Sequence, residues 1–423
     1  MAVPVSGMTG PIPTINAQQR AENEPERPAR WSAVFAMSVC VFALIASEFM
    51  PVSLLTPMAA ELGVTEGMAG QGIAISGAFA VVTSLTISSL AGRLDRKTLL
   101  LLLTAVMALS GALVGLAPNY AVYMIGRALI GIVIGGFWSL SAATAMRLVP
   151  ADRVPRALAI FNGGNALASV LAAPIGSYLG SVVGWRGAFL GLVPIAVIVL
   201  VWQLISLPSM KAPARVDGAP SRGILSVLSV FVPLGKRPIA LGMAACGTFF
   251  MGQFVLFTYV RPFLETVTMV DATTLSLVLL VIGGAGLVGT ALIGRFLERG
   301  LYRTLVVIPV LMAALAATLV PFGALLAPVF VLLGLWGLLS TSAPVGWWSW
   351  VAKAMPDDAE AGGGLMVAVI QLSIALGSTL GGLLFDAAGY QGAFLTSAGV
   401  LLVGALLAVL AGRSASAGAR AAA

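Results

Sequence analysis

The feature that most constrains this chain is its long runs without charge. Residues 98–126 contain no charged side chain, and neither do residues 187–210. Apolar blocks of about 18 residues or more read as membrane-crossing helices. Lipid offers no partner to a backbone N–H or C=O, so only helices and closed barrels cross it. No segment here alternates with the period of two that a barrel strand needs. The expected fold is therefore an all-α integral membrane protein. Composition agrees: 59% of the 423 residues are apolar and 9% are charged, against about 25% charged in a soluble domain.

The apolar blocks fall near 31–55, 68–92, 98–118, 120–147, 157–183, 187–207, 237–262, 273–297, 303–325, 328–352, 362–386 and 390–411, which predicts twelve spans. The longest charged connection follows the sixth. The chain thus divides into a tail (1–30), a six-helix half (31–207), a linker (208–236), a second six-helix half (237–411) and a closing tail (412–423). The first thirty residues are polar and proline-rich, without the apolar core of a secretory signal.

Lys and Arg set the orientation. With the N-terminus inside, every basic residue except Arg127, Arg186 and Arg261 falls on the inner side. That is the positive-inside pattern, so both termini and the linker are expected in the cytoplasm of a bacterial inner membrane. It also accounts for the formal charge of +7. The basic residues lie in short loops facing anionic lipid, and no nucleic acid partner is expected.

The chain has no histidine, and its two cysteines, Cys40 and Cys246, sit inside apolar blocks. Metal-ligand spacing, a catalytic constellation and a phosphate-binding Gly-Lys-Ser/Thr loop are all missing from the sequence. No metal, no cofactor and no enzymatic activity are expected.

The halves repeat one another. At an offset of 205, Ser47-Glu48-Phe49 with Pro57 lies opposite Gly252-Gln253-Phe254 with Pro262, and Gly176 lies opposite Gly381. The same offset carries Gly184-Trp-Arg-Gly-Ala-Phe-Leu190 onto Gly389-Tyr-Gln-Gly-Ala-Phe-Leu395. Six helices per half make the repeats parallel, with the substrate site expected near the midplane between them.

Several motifs carry a resemblance. Gly92-Arg-Leu-Asp95-Arg96-Lys97 after span two resembles the loop signature of the major facilitator superfamily, and Arg127-x-x-x-Gly131-x-x-x-Gly135 in span four and Ala172-Ala-Pro174-Ile-Gly176 in span five resemble its drug:proton antiporters. Wider stretches, among them Glu48-Phe-Met-Pro-Val-Ser-Leu-Leu-Thr-Pro-Met58, Gly135-Gly-Phe-Trp138 and Phe257-Thr-Tyr-Val-Arg-Pro262, resemble the purine ribonucleoside exporters of that superfamily. The resemblance implies proton antiport with alternating access. Its expected partners are protons, a purine ribonucleoside and membrane lipid, with the protein acting as a monomer. Export of a drug or sugar is the alternative within the class, and a non-transporting membrane sensor the alternative outside it.

Glu48 is the sharpest single residue. No other charge lies between Trp31 and Glu61, and an acid at that depth costs about 2.5–3.5 kcal/mol, so it should face the bundle interior. With no histidine present, it is the candidate proton carrier; a structural carboxylate bonded to backbone or to Arg127 is the alternative. The resemblance gives Arg127 a part in coupling, with helix packing as its other reading. It makes Gly92, Asp95 and Arg96 a gating loop, while Gly131, Gly135, Pro174 and Gly176 pack or bend their helices. A purine nucleoside needs flat surfaces and uncharged polar groups. The candidates are Phe137, Trp138, Asn162, Asn165, Gln253, Trp347, Trp348 and Gln371. For the aromatics the alternative is core or lipid packing, and for the amides an interhelical hydrogen bond.

The topology is directly testable. A reporter fused after Ala423 should fluoresce in the cytoplasm, and an alkaline phosphatase fused there should stay inactive. An active phosphatase would mean a miscounted span.

Overall fold

A computed structural model describes residues 29–90, 94–150, 153–210, 232–355 and 359–422. Its helices are α1 (Trp31–Leu62), α2 (Glu66–Leu90), α3 (Arg96–Gly115), α4 (Tyr120–Leu148), α5 (Val154–Ser206), α6 (Arg237–Phe257), α7 (Val260–Thr266), α8 (Ala272–Arg299), α9 (Leu301–Phe322), α10 (Leu326–Ala354) and α11 (Ala359–Ala422). Counting α6 with α7, ten segments are long and apolar enough to cross a membrane.

Two of the ten are broken. In α5, Gly184 takes φ 74° and ψ 164°; in α11, Gly389 takes φ 67° and ψ −169°. Only glycine enters that region without strain. Each helix therefore becomes two arms, which makes twelve spans among the described residues. The breaks stand 205 residues apart, at the repeat offset. The arms of α5 serve different neighbours. The first packs on α1, where a side chain at Gly176 would press on Ser53 and Met50. The second packs on α3, where one at Gly111 would meet Val193.

Side chains that reach solvent in a soluble protein here face lipid. Val182, Ile205, Val331 and Leu383 are more than half exposed on the bundle's flank. The fold is thus that of a multi-pass membrane protein with a core in each half. The halves meet where α2 packs on α11, α5 on α8, and α1 on α7. We call the end where α1 begins the near face and the end where α1 turns into α2 the far face.

The Arg127, Gly131 and Gly135 stripe seats α4 on α2. A Cβ on Gly131 would overlap the Ser76 carbonyl oxygen, and one on Gly135 that of Ala80. Arg127, one turn earlier, donates to the Gly72 carbonyl. The stripe at every fourth residue is thus matched by a ladder of carbonyls at the same spacing on α2. Pro174 occupies a comparable contact between halves. Lacking an N–H, it leaves the Val170 carbonyl without its helical donor, and Gly283 of α8 packs against Val170.

Asp95 caps α3, accepting from Lys97 N at 2.9 Å, and ties down the end of α5's connection through Met210 N at 2.7 Å and the Ser209 hydroxyl. Arg96 N bonds the Met210 carbonyl at 3.2 Å. The loop signature therefore clasps first-half elements at the near face. Gly92, the first tail and most of the linker lie outside the described residues. The final segment departs from expectation: α11 continues as helix past 411 to Ala422.

Helix packing here rests on missing side chains. Gly135→Val should lower stability by about 1–3 kcal/mol or more through overpacking, seen as a lower melting temperature of the purified protein. Gly191 has open space around it, so Gly191→Ala should be neutral or stabilise by up to about 1 kcal/mol.

Candidate functional site

The site begins with the way proline edits α1. In a helix the carbonyl of residue i accepts from the N–H of residue i+4. Pro51 and Pro57 lie inside α1 and have no N–H, so the carbonyls of Ser47 and Ser53 lose their helical donors. Both are buried, and both are taken by arginines from other helices.

Arg127 takes the first. Its Nη1 donates to the Ser47 carbonyl at 2.7 Å and its Nη2 to the Glu48 carbonyl at 3.0 Å. The remaining donors reach α2, with Nε on the Gly72 carbonyl at 3.0 Å and Nη2 on Ser76 Oγ at 3.2 Å. The guanidinium is completely buried, and it fastens α1, α2 and α4 together through main-chain oxygens. Arg261 of α7 takes the second freed carbonyl, that of Ser53, from the opposite half.

Glu48 is held differently at its two ends. Its carbonyl belongs to Arg127, while its carboxyl crosses to the second half, where Oε1 accepts from Gln371 Nε2 at 3.3 Å. The residue is 3% exposed. Beside it Phe49 meets Phe254, with ring centroids 5.8 Å apart and planes at 30°. These phenylalanines occupy equivalent repeat positions, so the contact lies where the halves face each other. Gln253, the repeat partner of Glu48, is half-buried and its Oε1 has no hydrogen-bond partner; the Gln371 Oε1 is likewise buried without one. The groups at this level are thus one carboxyl, two buried amide oxygens without a donor, and two rings in tilted contact.

From this level to the far face, hydrogen bonds join the halves in series. Thr379 donates to Gln71 Oε1 at 3.0 Å. Farther out, Asp386 accepts from Thr65 Oγ1 at 2.6 Å and from Gly67 N at 3.1 Å. A carboxylate of one half thereby caps the first turn of a helix in the other, where the helix dipole favours it. Among the described residues, every hydrogen bond between halves lies at the level of Glu48 or beyond it toward the far face. The structure is closed at that face.

The other candidates are scattered. Phe137 is fully buried in the first-half core, and Trp347 is buried in the second among Phe249 and Trp350. Trp138 is partly buried against the first-half core. Trp348 is half-exposed, and a Cβ added at Gly363 would lie 3.3 Å from its ring. Asn165 is partly buried on the first arm of α5, and the side chain of Asn162 lies outside the described residues. Among the described residues no three His, Cys, Asp or Glu side chains converge as a metal would require. Sequence reading missed Arg261, which looked like a span-end cation. The signal was Pro57, since a proline five residues short of a helix end implies a carbonyl in search of a donor.

The Major Facilitator Superfamily model matches residues 37–364. A curated relative, the transcription regulatory protein OpdE of Pseudomonas aeruginosa, is 65% identical over 95% of this chain and 98% of its own length. The purine ribonucleoside efflux pump NepI of Salmonella paratyphi B is 39% identical over 89% of this chain and 93% of its own. Among solved structures, a bacterial homologue of the human lysosomal transporter Spinster, inward-facing and unoccupied, matches with a TM-score of 0.73 at 16% identity, covering 92% of this chain and 98% of its own. A mutant of the nucleoside transporter NupG matches with a TM-score of 0.72 at 14% identity, covering 90% and 98%.

Arg127 offers a test of the geometry. Arg127→Lys keeps the charge but brings its donors to a single point, so it cannot span carbonyls on two helices. Each carbonyl left buried without a donor costs about 1–3 kcal/mol. The variant should melt well below the wild type in detergent, and a wild-type melting curve would show that these bonds do not hold the helices.

Proposed function

The chain belongs to the major facilitator superfamily, and from that premise we propose that it exports purine ribonucleosides from the bacterial cytoplasm in exchange for entering protons. The observation that carries the mechanism is the Glu48 carboxyl. Among the described residues it is the one carboxyl at this level between the halves, and its side-chain partner is Gln371 of the opposite half. Loading the proton turns Oε1 or Oε2 from a charged acceptor into part of a neutral acid, which changes the bond that joins the halves at their centre. Arg127 stays charged and bonded to carbonyls, so on this reading it positions Glu48 and carries no proton.

The positive-inside orientation makes the far face periplasmic. On that orientation the halves are hydrogen-bonded to each other on the periplasmic side, and the cytoplasmic side is the proposed route of substrate entry. A purine nucleoside entering from the near face meets the Phe49 and Phe254 rings, which suit its flat base. It also meets the unpartnered oxygens of Gln253 and Gln371, which suit its N–H donors. Asn162, Asn165, Trp138 and Trp348 are the remaining proposed contacts, while Phe137 and Trp347 support the site from within their cores. The substrate class is supported by the relatives named as purine ribonucleoside pumps and by the sequence motifs shared with such exporters. The proposed protein acts as a monomer in lipid, without covalent chemistry on its substrate.

The relative named a transcription regulatory protein favours a second reading, in which the chain influences transcription from the membrane as a sensor. One variant separates the two. Glu48→Gln keeps size and hydrogen-bonding capacity but cannot titrate. In proteoliposomes it should abolish inosine or guanosine movement driven by a pH gradient while leaving counterflow of labelled against unlabelled nucleoside in place. Glu48→Asp should retain part of the driven activity. A wild-type rate in Glu48→Gln would make Glu48 structural, and competition by arabinose or chloramphenicol in place of purines would move the substrate elsewhere. If any transcriptional effect persists with transport-dead Glu48→Gln, the sensor reading gains; if it vanishes, it follows from export.

A further inference from the structure

The freed carbonyl of Ser53 is unlike that of Ser47 in one respect, because its arginine comes from the other half. Arg261 is 8% exposed, and beside its bond to Ser53 its Nη2 pairs with Glu265 Oε1 at 2.6 Å, one turn along α7. That pair is only half satisfied. Arg261 Nε and Glu265 Oε2 are both buried without a hydrogen-bond partner. A buried guanidinium and carboxylate normally use both pairs of atoms, so one donor and one acceptor are left over in this state.

The repeat does not dictate the arrangement. At the offset of 205, Arg261 corresponds to Thr56, Glu265 to Ala60 and Ser53 to Thr258. Pro262 corresponds to Pro57, but among the described residues the first half supplies no cation to the carbonyl opposite it. The contact is therefore an addition on one side of a symmetric frame, at a boundary where the halves meet.

We propose that Arg261 is a positioning residue for the transport cycle, a reversible latch that holds the far face shut by donating to the carbonyl Pro57 leaves free. Closure presents the carbonyl to the guanidinium, and α1's own backbone cannot compete for it. When the halves part, Arg261 turns fully onto Glu265, matching Nε and Oε2, so neither charge is stranded as the bond to Ser53 is lost. Glu265 thus supplies a second resting place on the same helix. Gly176 lets the first arm of α5 lie close against Ser53, which keeps the carbonyl's position fixed. The meaning of the latch for export rests on the function proposed above, but its test needs no substrate.

Ala69 is completely buried at the far face, clustered with Leu55 and Ala59 of its own half and Tyr259 of the other. Ala69→Cys therefore reports opening through its rate of labelling by a water-soluble maleimide, in purified protein in lipid nanodiscs. Cys40 and Cys246 are buried, and protein without Ala69→Cys gives the background. Arg261→Gln should raise the labelling rate about tenfold or more, as loss of a charged hydrogen bond implies. Pro57→Ala leaves Arg261 untouched but returns an N–H to the Ser53 carbonyl, and it should raise the rate in the same direction. The double variant should label no faster than Arg261→Gln alone, because both remove one interaction. Arg261→Lys, still able to donate, should fall between. Wild-type labelling in Pro57→Ala, or effects that simply multiply in the double variant, would overturn the latch. Should Arg261→Gln fail to fold, Pro57→Ala decides the matter alone. Loss of nucleoside transport in every variant and in the wild type would count against the exporter, and leave these labelling rates standing.

Discussion

Two prolines in α1 remove two N–H groups from a helix that lipid cannot hydrate, and the architecture around the midplane follows from how the orphaned oxygens are satisfied. A buried carbonyl without a donor is costly anywhere and more so in a membrane. Arg127 answers one by joining three helices of its own half, and Arg261 answers the other by reaching across from the second half. The first bond makes a rigid body and the second joins two bodies. Helix α1 is therefore both a fixed part of one half and a contact surface for the other. Glu48 sits between the two prolines' carbonyls, its backbone bonded within its own half and its carboxyl bonded to the other.

The broad architecture was legible because membrane spans announce themselves by length and lack of charge. The glycine breaks were legible too, as equivalent positions in a repeated motif, though not as turns without an intervening loop. The stripe of Arg127, Gly131 and Gly135 declared a packed face, because glycine at every fourth position in a span has little other use. The pairing of Arg127 was harder to read. An acid and a base in neighbouring spans invite an ion pair, yet the arginine bonds Glu48 through the main chain. Only the proline four residues beyond Ser47 hinted that main-chain oxygens were available.

Side-chain direction was the part the sequence withheld. These helices are apolar all round, so no polar stripe tells which face looks inward. Phe137 and Trp138 are adjacent, and one is sealed in the core while the other is only partly covered. Trp347 and Trp348 divide in the same way. Neither sequence spacing nor residue type separates them, since both options bury an aromatic ring in something apolar. Gln371 read as a nucleoside contact or an interhelical amide, and nothing in the sequence named the Glu48 carboxyl of the other half as its partner.

The breaks at Gly184 and Gly389 have one more consequence. At each, a helix ends and another begins with no residue left over as loop, so on the far face two of the connections between spans are almost flush with the bundle. At those two points the far face offers almost no stretch of chain to grip: a protease or an antibody reaching it would find the polypeptide turning back within a single residue.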